Sequence, residues 1–368
     1  MRAIFTGQVG VEKKPYLDLV QHHARQNGHK LTVCHVGDMM YDEAPDVPAG
    51  RILNLPITRL NTLRRAAFKE ILRIADREPN VIVNTHATFR WRHGLFSAFD
   101  YDQMQAFDAD QYLTLLDNAE SVHQRLMRDH SATGHTLKDI MVWREEELLA
   151  TEILANIHKG HGHFTMISRG REKLTAETVY RLLFEPWRKK VYPSFPMTHV
   201  MDLPDTLAEI DRFKEALYEH FICYDPADVD EFVLHTEAEK ALADGRPTIT
   251  VDAADGPVEL KTSEVAQISA DIKGQIYARD FKMIDQSDMI VSLVPELPGG
   301  GPGLSSGVER ELHHAWEGGK EVYVVWMPKR TASPFITETA TKVFGGVQEA
   351  IDYFGEKGYL SKSETRSA

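Results

Sequence analysis

The chain is poor in cysteine: Cys34 and Cys223 are the only two in 368 residues. Two cysteines cannot build the disulfide framework that stabilises small secreted domains, so the sequence favours a reducing compartment. It also lacks an apolar run of the roughly 20 residues that a membrane-spanning helix needs. No internal repeat and no low-complexity segment is visible. We therefore predict a cytoplasmic protein that has no membrane partner.

Positive charge is also in deficit. The 42 lysines and arginines face 55 aspartates and glutamates, which gives a formal net charge of −13. Nucleic acids are bound by clustered lysines and arginines, so this balance argues against a nucleic-acid polymer as partner. A small anionic ligand in a local pocket remains compatible with it. We expect no metal site and no bound cofactor.

The length predicts two domains, because single hydrophobic cores rarely grow this large. Apolar segments that alternate with helical periodicity predict an α/β fold with parallel sheets. Strands are expected at 2–5, 31–36, 80–84 and 164–168, and helices at 15–26, 60–75, 117–130 and 136–158. We place the first domain at residues 1–185 and the second at 186–368.

The second domain is predicted to begin with a strand from Val191, followed by a helix at 204–220 and strands at 289–294 and 321–326. Residues 225–265 interrupt this pattern and read as an insertion. Within them Asp255-Gly256 lies between two apolar segments, which predicts a β-hairpin.

A glycine-rich segment, residues 7–14, follows the first predicted strand and precedes a helix. This is the position of a phosphate-binding loop with the pattern G-x-x-x-x-G-K-[ST]. The residues predicted to bind a nucleotide there are Gly7, Gly10, Lys13 and Lys14.

The segment V-I-V-N-T-H-A at 81–87, with Gly94, Arg125 and Arg128, resembles the archaeal-type adenylate kinases over about residues 1–160. The resemblance implies that both arginines clamp phosphates. Three positions depart from the family pattern: Glu12 replaces a glycine, Lys14 the Mg²⁺-binding hydroxyl, and Asn84 an aspartate. Phosphoryl transfer depends on the metal and the loop, so the departures predict an inactive pseudo-kinase. It would be either a nucleotide sensor or a scaffold without a ligand.

In the second domain, residues 277–326 contain a helical run, an apolar strand, a glycine-rich loop, a helix and another strand. Ligands in open α/β sheets bind at the carboxyl ends of strands, where this loop lies. Two carboxylates, Asp280 and Glu311, are expected to converge there. A pair of carboxylates provides the catalytic groups with which most glycosidases cleave a glycosidic bond.

The same stretch resembles the nucleoside 2-deoxyribosyltransferase superfamily. The resemblance rests on Asp280, on the G-x-x-x-E-L motif from Gly307 to Leu312, and on the earlier strand that carries Tyr192. It implies a flavodoxin-like domain in which Glu311 is the nucleophile, Asp280 handles the leaving base and Tyr192 orients the nucleophile. Sites of this family are completed by a neighbouring subunit, so a homo-oligomer is expected.

Ser305 distinguishes subfamilies, because transferases that act on free nucleosides carry an acid there. A serine resembles the 2′-deoxynucleoside 5′-phosphate N-hydrolases, in which this loop binds the 5′-phosphate. The resemblance implies hydrolysis of nucleoside 5′-monophosphates, with base exchange or a non-catalytic nucleotide sensor as the alternatives. The predicted substrate-binding residues lie in the two loops: Ser305, Ser306, Gly307, Ser194, Pro196, Met197 and Thr198.

Overall fold

The computed structural model describes residues 1–197 and 200–360, so Thr198 and the tail 361–368 lie outside the described residues. The strands are β1 (Arg2–Thr6), β2 (Thr32–His35), β3 (Val81–Asn84), β4 (Thr88–Trp91), β5 (Gly94–Ser97), β6 (Gln111–Leu116), β7 (Phe164–Ser168), β8 (Lys190–Ser194), β9 (Ile222–Cys223), β10 (Thr248–Ala253), β11 (Gly256–Lys261), β12 (Met289–Val294), β13 (Glu321–Trp326) and β14 (Lys342–Phe344). The helices are α1 (Lys13–Gln26), α2 (Val36–Asp42), α3 (Ile57–Ala75), α4 (Tyr101–Phe107), α5 (Ala119–His130), α6 (Leu137–His158), α7 (Glu172–Phe184), α8 (Pro204–His220), α9 (Phe232–Ala243), α10 (Thr262–Asp285), α11 (Ser306–Glu317), α12 (Pro334–Thr337) and α13 (Val347–Glu356).

The predicted α/β class with parallel sheets is confirmed. One five-stranded sheet has the order β2-β3-β1-β6-β7, and its strand pairs are all parallel. Numbered along the chain, these strands run 2-3-1-4-5. Every residue of β3 is buried, as expected where helices cover both faces of a parallel sheet. The loop after β1 and the loop after β3 therefore meet at one edge of the sheet.

The other five-stranded sheet has the order β9-β8-β12-β13-β14, again with parallel pairs. Numbered along the chain this is 2-1-3-4-5, the flavodoxin-like order. Its switch point lies between β8 and β12, where Tyr192 pairs in register with Ile290 and Ser194 with Ser292. Residues at the carboxyl end of β8 therefore border the crevice in which such sheets bind ligands.

The described residues form two compact units. Unit 1 comprises Met1–Tyr180 and Val229–Gly274, and unit 2 comprises Arg181–Asp228 with the described part of Gln275–Ala368. From the sequence, residues 225–265 were predicted to be an insertion in the second domain. In the structure, residues 229–274 pack with unit 1. The prediction followed chain order, whereas the packing follows contacts between residues distant in sequence.

A buried ion pair explains this assignment. Glu231, with no exposed surface, binds the buried guanidinium of Arg144 on α6 and accepts the backbone N–H of Ala119 at 3.1 Å. The predicted hairpin forms as β10 and β11, and its tip lies on α5, where the Gln124 amide donates to the Gly256 carbonyl at 3.1 Å. Residues 229–274 thus provide unit 1 with the carboxylate that neutralises Arg144 and with a hairpin that packs on α5.

Two further expectations need correction. The strand β6 was not predicted, although it pairs with β1 at the centre of the unit 1 sheet. Asp280 was placed at the start of a helix, but α10 begins at Thr262 and carries Asp280 in its last two turns. The first half of this helix buries Val265, Ile268 and Ile272, whose i, i+3, i+7 spacing is the signal that would have predicted it. No helix within the described ranges is long and apolar enough to cross a membrane.

Candidate functional site

The unit 2 site is built around the carboxylate of Glu311 on α11. Tyr192 Oη donates to Glu311 Oε1 at 3.1 Å, and Ser194 Oγ donates to Glu311 Oε2 at 2.6 Å. Both donors come from β8 and are fully buried, whereas Glu311 itself remains partly exposed. Since successive odd or even positions of a strand share a face, Tyr192 and Ser194 point to the same side. The sheet thus fixes one carboxylate through two hydroxyls.

Electrostatics sets the protonation states at this site. Burial raises the pKa of Glu311 above its ordinary value, and the hydrogen bonds from Ser194 and Tyr192 oppose that rise. Burial also raises the pKa of Tyr192 well above its ordinary value, and the nearby charges of Glu311 and Asp280 raise it further. The phenol therefore keeps its proton and acts as a donor at neutral pH. The Asp280 carboxylate therefore lies close enough to Tyr192 to act on it electrostatically.

The predicted phosphate-binding loop leads into α11. Ser305 is its N-cap, and its Oγ accepts the backbone N–H of Val308 at 3.2 Å. Ser306 and Gly307 follow in the exposed first turn, where helix N–H groups have no acceptor within the helix. Such N–H groups favour an anion. Before the cap, Gly303 packs so tightly that an added Cβ would lie 2.8 Å from Pro295, which fixes the path of the loop.

The loop after β8 supplies the other predicted substrate-binding residues. Pro196 is buried and Met197 is half-buried, two and three residues after Ser194, the last residue of β8. Ser194 has a different partner from the one expected, because its hydroxyl already donates to Glu311. Sequence reasoning assigned it to the substrate and missed its role beside the carboxylate. The register of β8 is the signal that would have shown it, since Ser194 lies two residues after Tyr192.

Unit 1 contains a cavity of about 460 Å³ at the carboxyl ends of β1, β2 and β3. The predicted loop residues Gly10, Lys13 and Lys14 line it, together with Arg64 of α3. Gly7 lies behind this wall with φ +143°, and an added Cβ there would lie 2.7 Å from the Leu115 carbonyl oxygen. The loop therefore requires glycine at its first position, as a phosphate-binding loop does.

Two buried cations face this cavity. Lys13 is 7% exposed, donates to the Gly7 carbonyl and lies 3.3 Å from the ring nitrogens of His86. Arg64 is 3% exposed and donates to Asn61 Oδ1 at 2.9 Å. Within residues 1–197 and 200–360, neither cation has a carboxylate within 4.0 Å. Burial lowers the pKa of Lys13 to about 7 and that of Arg64 to about 10, although Glu147 and Asp100 act in the opposite direction.

The departures from the phosphate-binding pattern are paired with other residues. The ammonium of Lys14 forms an ion pair with Asp38 on α2. Asn84 Nδ2 lies 2.9 Å from His35 Nδ1. In the described part of the chain, no three His, Cys, Asp or Glu side chains are grouped to hold a metal ion.

Comparison with known proteins agrees with this geometry. A family model described as an AAA domain matches residues 6–144. Adenylate kinase from Pyrococcus furiosus is 23% identical over 186 residues, which is 49% of this chain and 92% of that protein. The N-terminal region of this chain is thus a P-loop domain similar to nucleotide kinases. This confirms the predicted resemblance at that level.

The hydrogen bond from Ser194 has a measurable consequence. In Ser194→Ala the carboxylate loses a donor that stabilises its ionised form, so the pKa of Glu311 should rise above that of the wild type. Carbon-13 NMR titration of glutamate carboxyl carbons measures this directly. The matched control is Ser306→Ala, because Ser306 is exposed in the first turn of α11. An unchanged or lower Glu311 pKa in Ser194→Ala would contradict the geometry.

Proposed function

We propose that unit 2 is an N-glycosidase that hydrolyses nucleoside 5′-monophosphates to free base and (deoxy)ribose 5-phosphate. The observation that carries the proposal is the Glu311 carboxylate, held by Tyr192 and Ser194 beside the switch point of the sheet. A fixed carboxylate whose pKa is raised is a competent nucleophile toward the anomeric carbon of a nucleoside.

In the proposed reaction, a Glu311 oxygen attacks C1′ and the C1′–N bond breaks. Its electron pair passes to the base nitrogen, which takes the proton of Asp280 from the enzyme form in which this carboxyl group is protonated, and leaves Asp280 as a carboxylate. Water then attacks C1′, returns a proton to Asp280 and frees Glu311. Tyr192 keeps its proton throughout and holds the carboxylate in place. A second base in place of water would give base exchange by the same first step.

The N-terminus of α11 supports a phosphorylated substrate. The N–H groups of Ser306 and Gly307 lie in the first turn, and Ser305 brings a neutral hydroxyl to the same loop. A carboxylate at position 305 would repel a phosphate dianion, whereas a hydroxyl can donate to it. We therefore assign the 5′-phosphate to this loop.

Glu311→Gln should abolish base release, because the amide is nearly isosteric but is a very poor nucleophile. We expect a fall of more than about 10³-fold, in line with the removal of other nucleophiles. The control is Glu309→Gln, since Glu309 is exposed on another side of α11. Chromatography of free base from a panel of ribo- and deoxynucleoside monophosphates measures both, with and without a second base. More than about a tenth of wild-type activity in Glu311→Gln would remove Glu311 as the nucleophile.

The same variant should keep its fold. A raised pKa means that the folded state binds the Glu311 proton more tightly than the unfolded chain does. Above the raised pKa, the ionised Glu311 carboxylate therefore lowers the free energy of unfolding of the wild-type protein. This loss of stability disappears below the ordinary glutamate pKa, where the group is protonated in both the folded and the unfolded state. At pH 7 the thermal stability of Glu311→Gln should equal or exceed that of the wild type, which separates loss of chemistry from loss of fold.

Ser305→Asp should reverse the preference for monophosphates. Two or three charge-assisted hydrogen bonds of about 1.5–3 kcal/mol each imply a preference of about 10²-fold or more in kcat/KM over the free nucleoside. Aspartate is also a good N-cap, so α11 should still form. Ser305→Asn is the matched control, because it keeps a cap without adding charge. Equal efficiency of wild-type protein toward dCMP and deoxycytidine would reject the monophosphate assignment.

A second function is favoured by the unit 1 cavity. We propose that it binds a nucleotide without transferring phosphate, because Lys13 and Arg64 are buried cations that an anionic group would neutralise. The glutamate at position 12 and the ion pair of Lys14 with Asp38 argue against Mg²⁺-dependent transfer. Unit 1 would then serve as a nucleotide sensor.

Binding of AMP, measured by calorimetry, should weaken as the pH rises above about 7, because Lys13 loses its charge there. Its affinity should fall by up to about tenfold per pH unit, the limit for loss of one proton. Lys13→Met should abolish this dependence, whereas Lys30→Met, at an exposed lysine, should not. No ADP should form from ATP and AMP with Mg²⁺. ADP formation at about 1 s⁻¹ or faster would identify a working kinase instead.

A further inference from the structure

A serine hydroxyl lies buried within the unit 2 sheet and is not used in the reaction described above. Ser292 belongs to β12 and has no exposed surface. Its Oγ is buried without a hydrogen-bond partner in the described part of the chain. A buried donor without an acceptor is unfavourable, and such groups are uncommon in native proteins. The position of Ser292 in the sheet indicates which acceptor it can reach.

The register of the sheet places Ser292 beside Ser194. The two serines are paired on the neighbouring parallel strands β12 and β8. Paired residues of adjacent strands point to the same face of a sheet, and the strands lie about 4.8 Å apart. Ser194 points toward α11, because its Oγ donates to Glu311 Oε2 at 2.6 Å. Ser292 therefore points to the same face, next to a donor of the Glu311 carboxylate.

The other sheet neighbours of Ser292 on this face are apolar. Along β12 they are Ile290 and Val294, two residues before and two residues after it. On β13 the paired residue is Val324. These three side chains are hydrocarbons and accept no hydrogen bond. Of the four neighbouring positions in the sheet, the one held by Ser194 is thus the one with a side-chain oxygen.

Ser194 is able to accept a further hydrogen bond. A serine hydroxyl has one proton and two acceptor lone pairs. The proton of Ser194 is donated to Glu311 Oε2, so toward another partner its oxygen acts as an acceptor. The structure shows Ser292 in a position without this bond. Rotation about one side-chain torsion carries the Ser292 hydroxyl between three staggered positions, and the position that faces Ser194 forms a chain of two hydroxyls ending on Glu311.

We propose that Ser292 is a positioning residue that acts on Glu311 through Ser194. Its hydroxyl turns to donate to Ser194 Oγ when Glu311 is ionised, because the negative charge polarises the two hydroxyls and strengthens both bonds. When Glu311 bears a proton or a glycosyl group, that charge is absent and Ser292 turns away. Ser292 thus stabilises Glu311 as a free carboxylate. The role of that carboxylate as nucleophile rests on the proposed N-glycosidase function, whereas the hydrogen-bond chain does not.

The test is the pKa of Glu311 in the full chain, measured by carbon-13 NMR titration of the glutamate carboxyl carbons. Ser292→Ala removes the hydroxyl and should raise this pKa. The rise should be about a tenth to a third of that in Ser194→Ala, in line with cooperative strengthening of about 10–30% per bond. Ser292→Thr and Ser292→Val form a matched pair, since their side chains have nearly the same shape and threonine alone of the two has a hydroxyl. The pKa should stay closer to that of the wild type in Ser292→Thr than in Ser292→Val.

The route through Ser194 is tested by a double-mutant cycle. Ser194→Ala already breaks the chain of hydroxyls, so adding Ser292→Ala should not change the Glu311 pKa further. A further rise as large as that in the single variant would show direct action on Glu311 and would overturn the proposal. An unchanged pKa in Ser292→Ala would overturn it as well. Asp280 and Asp225, whose charges also act on Tyr192, are the same in every variant.

Circular dichroism shows whether each variant is folded. If the larger Val or Thr side chain prevents folding, the cycle of alanine variants still decides, because these substitutions only remove an oxygen. In base release, the rate of Ser292→Ala should begin to fall at a higher pH than that of the wild type on acidification. A raised Glu311 pKa in Ser292→Ala, with no base release from the wild-type protein, would support the hydrogen-bond chain and reject the N-glycosidase function, so the two proposals fail separately.

Discussion

A carboxylate buried at the carboxyl edge of a parallel sheet must be matched by donors, and both units are organised around this requirement. In unit 1 the carboxylate is Glu147 of α6, which is 1% exposed. It accepts the backbone N–H groups of Gly7, Ala87 and Thr88 at 2.7–3.0 Å and the Thr88 hydroxyl at 2.8 Å. Since these donors follow β1 and β3, one side chain joins the two loops that shape the cavity. Without them, the charge would cost several kcal/mol to bury.

Unit 2 meets the same requirement only in part. Glu311 has two hydroxyl donors, from Tyr192 and Ser194, and remains partly exposed. A carboxylate with four donors is satisfied and serves the structure, as Glu147 does. One with fewer donors and an open side keeps lone pairs for a ligand. The number of hydrogen-bond donors therefore distinguishes the two carboxylates. Glu147, with four donors, is structural, whereas Glu311, with two, is the candidate for reaction.

The sequence predicted what depends on local pattern. The apolar strand before Tyr192 and the glycine loop before Glu311 placed that pair correctly near one edge, because parallel strands all end at the same side of a sheet. The position of residues 229–274 could not be predicted, because it depends on contacts such as that of Glu231 with Arg144, 87 residues apart. β6 was not predicted because five of its six residues are buried, so it lacks the alternation of apolar and polar residues that marks a half-buried strand.

The surroundings of Glu12 show most clearly what could not be predicted from the sequence. The replacement of a loop glycine by Glu12 was visible in the sequence, and it was interpreted only as a loss. Its consequence depends on a backbone angle, since φ 51° directs the side chain toward Arg128 and away from α1. The Glu12 carboxylate lies against Arg125, Arg128 and Arg169, and none of these three contacts follows from the local sequence pattern. Gly7 and Glu147 maintain the path of the loop, whereas the direction of the Glu12 side chain depends on a backbone angle that the sequence does not reveal.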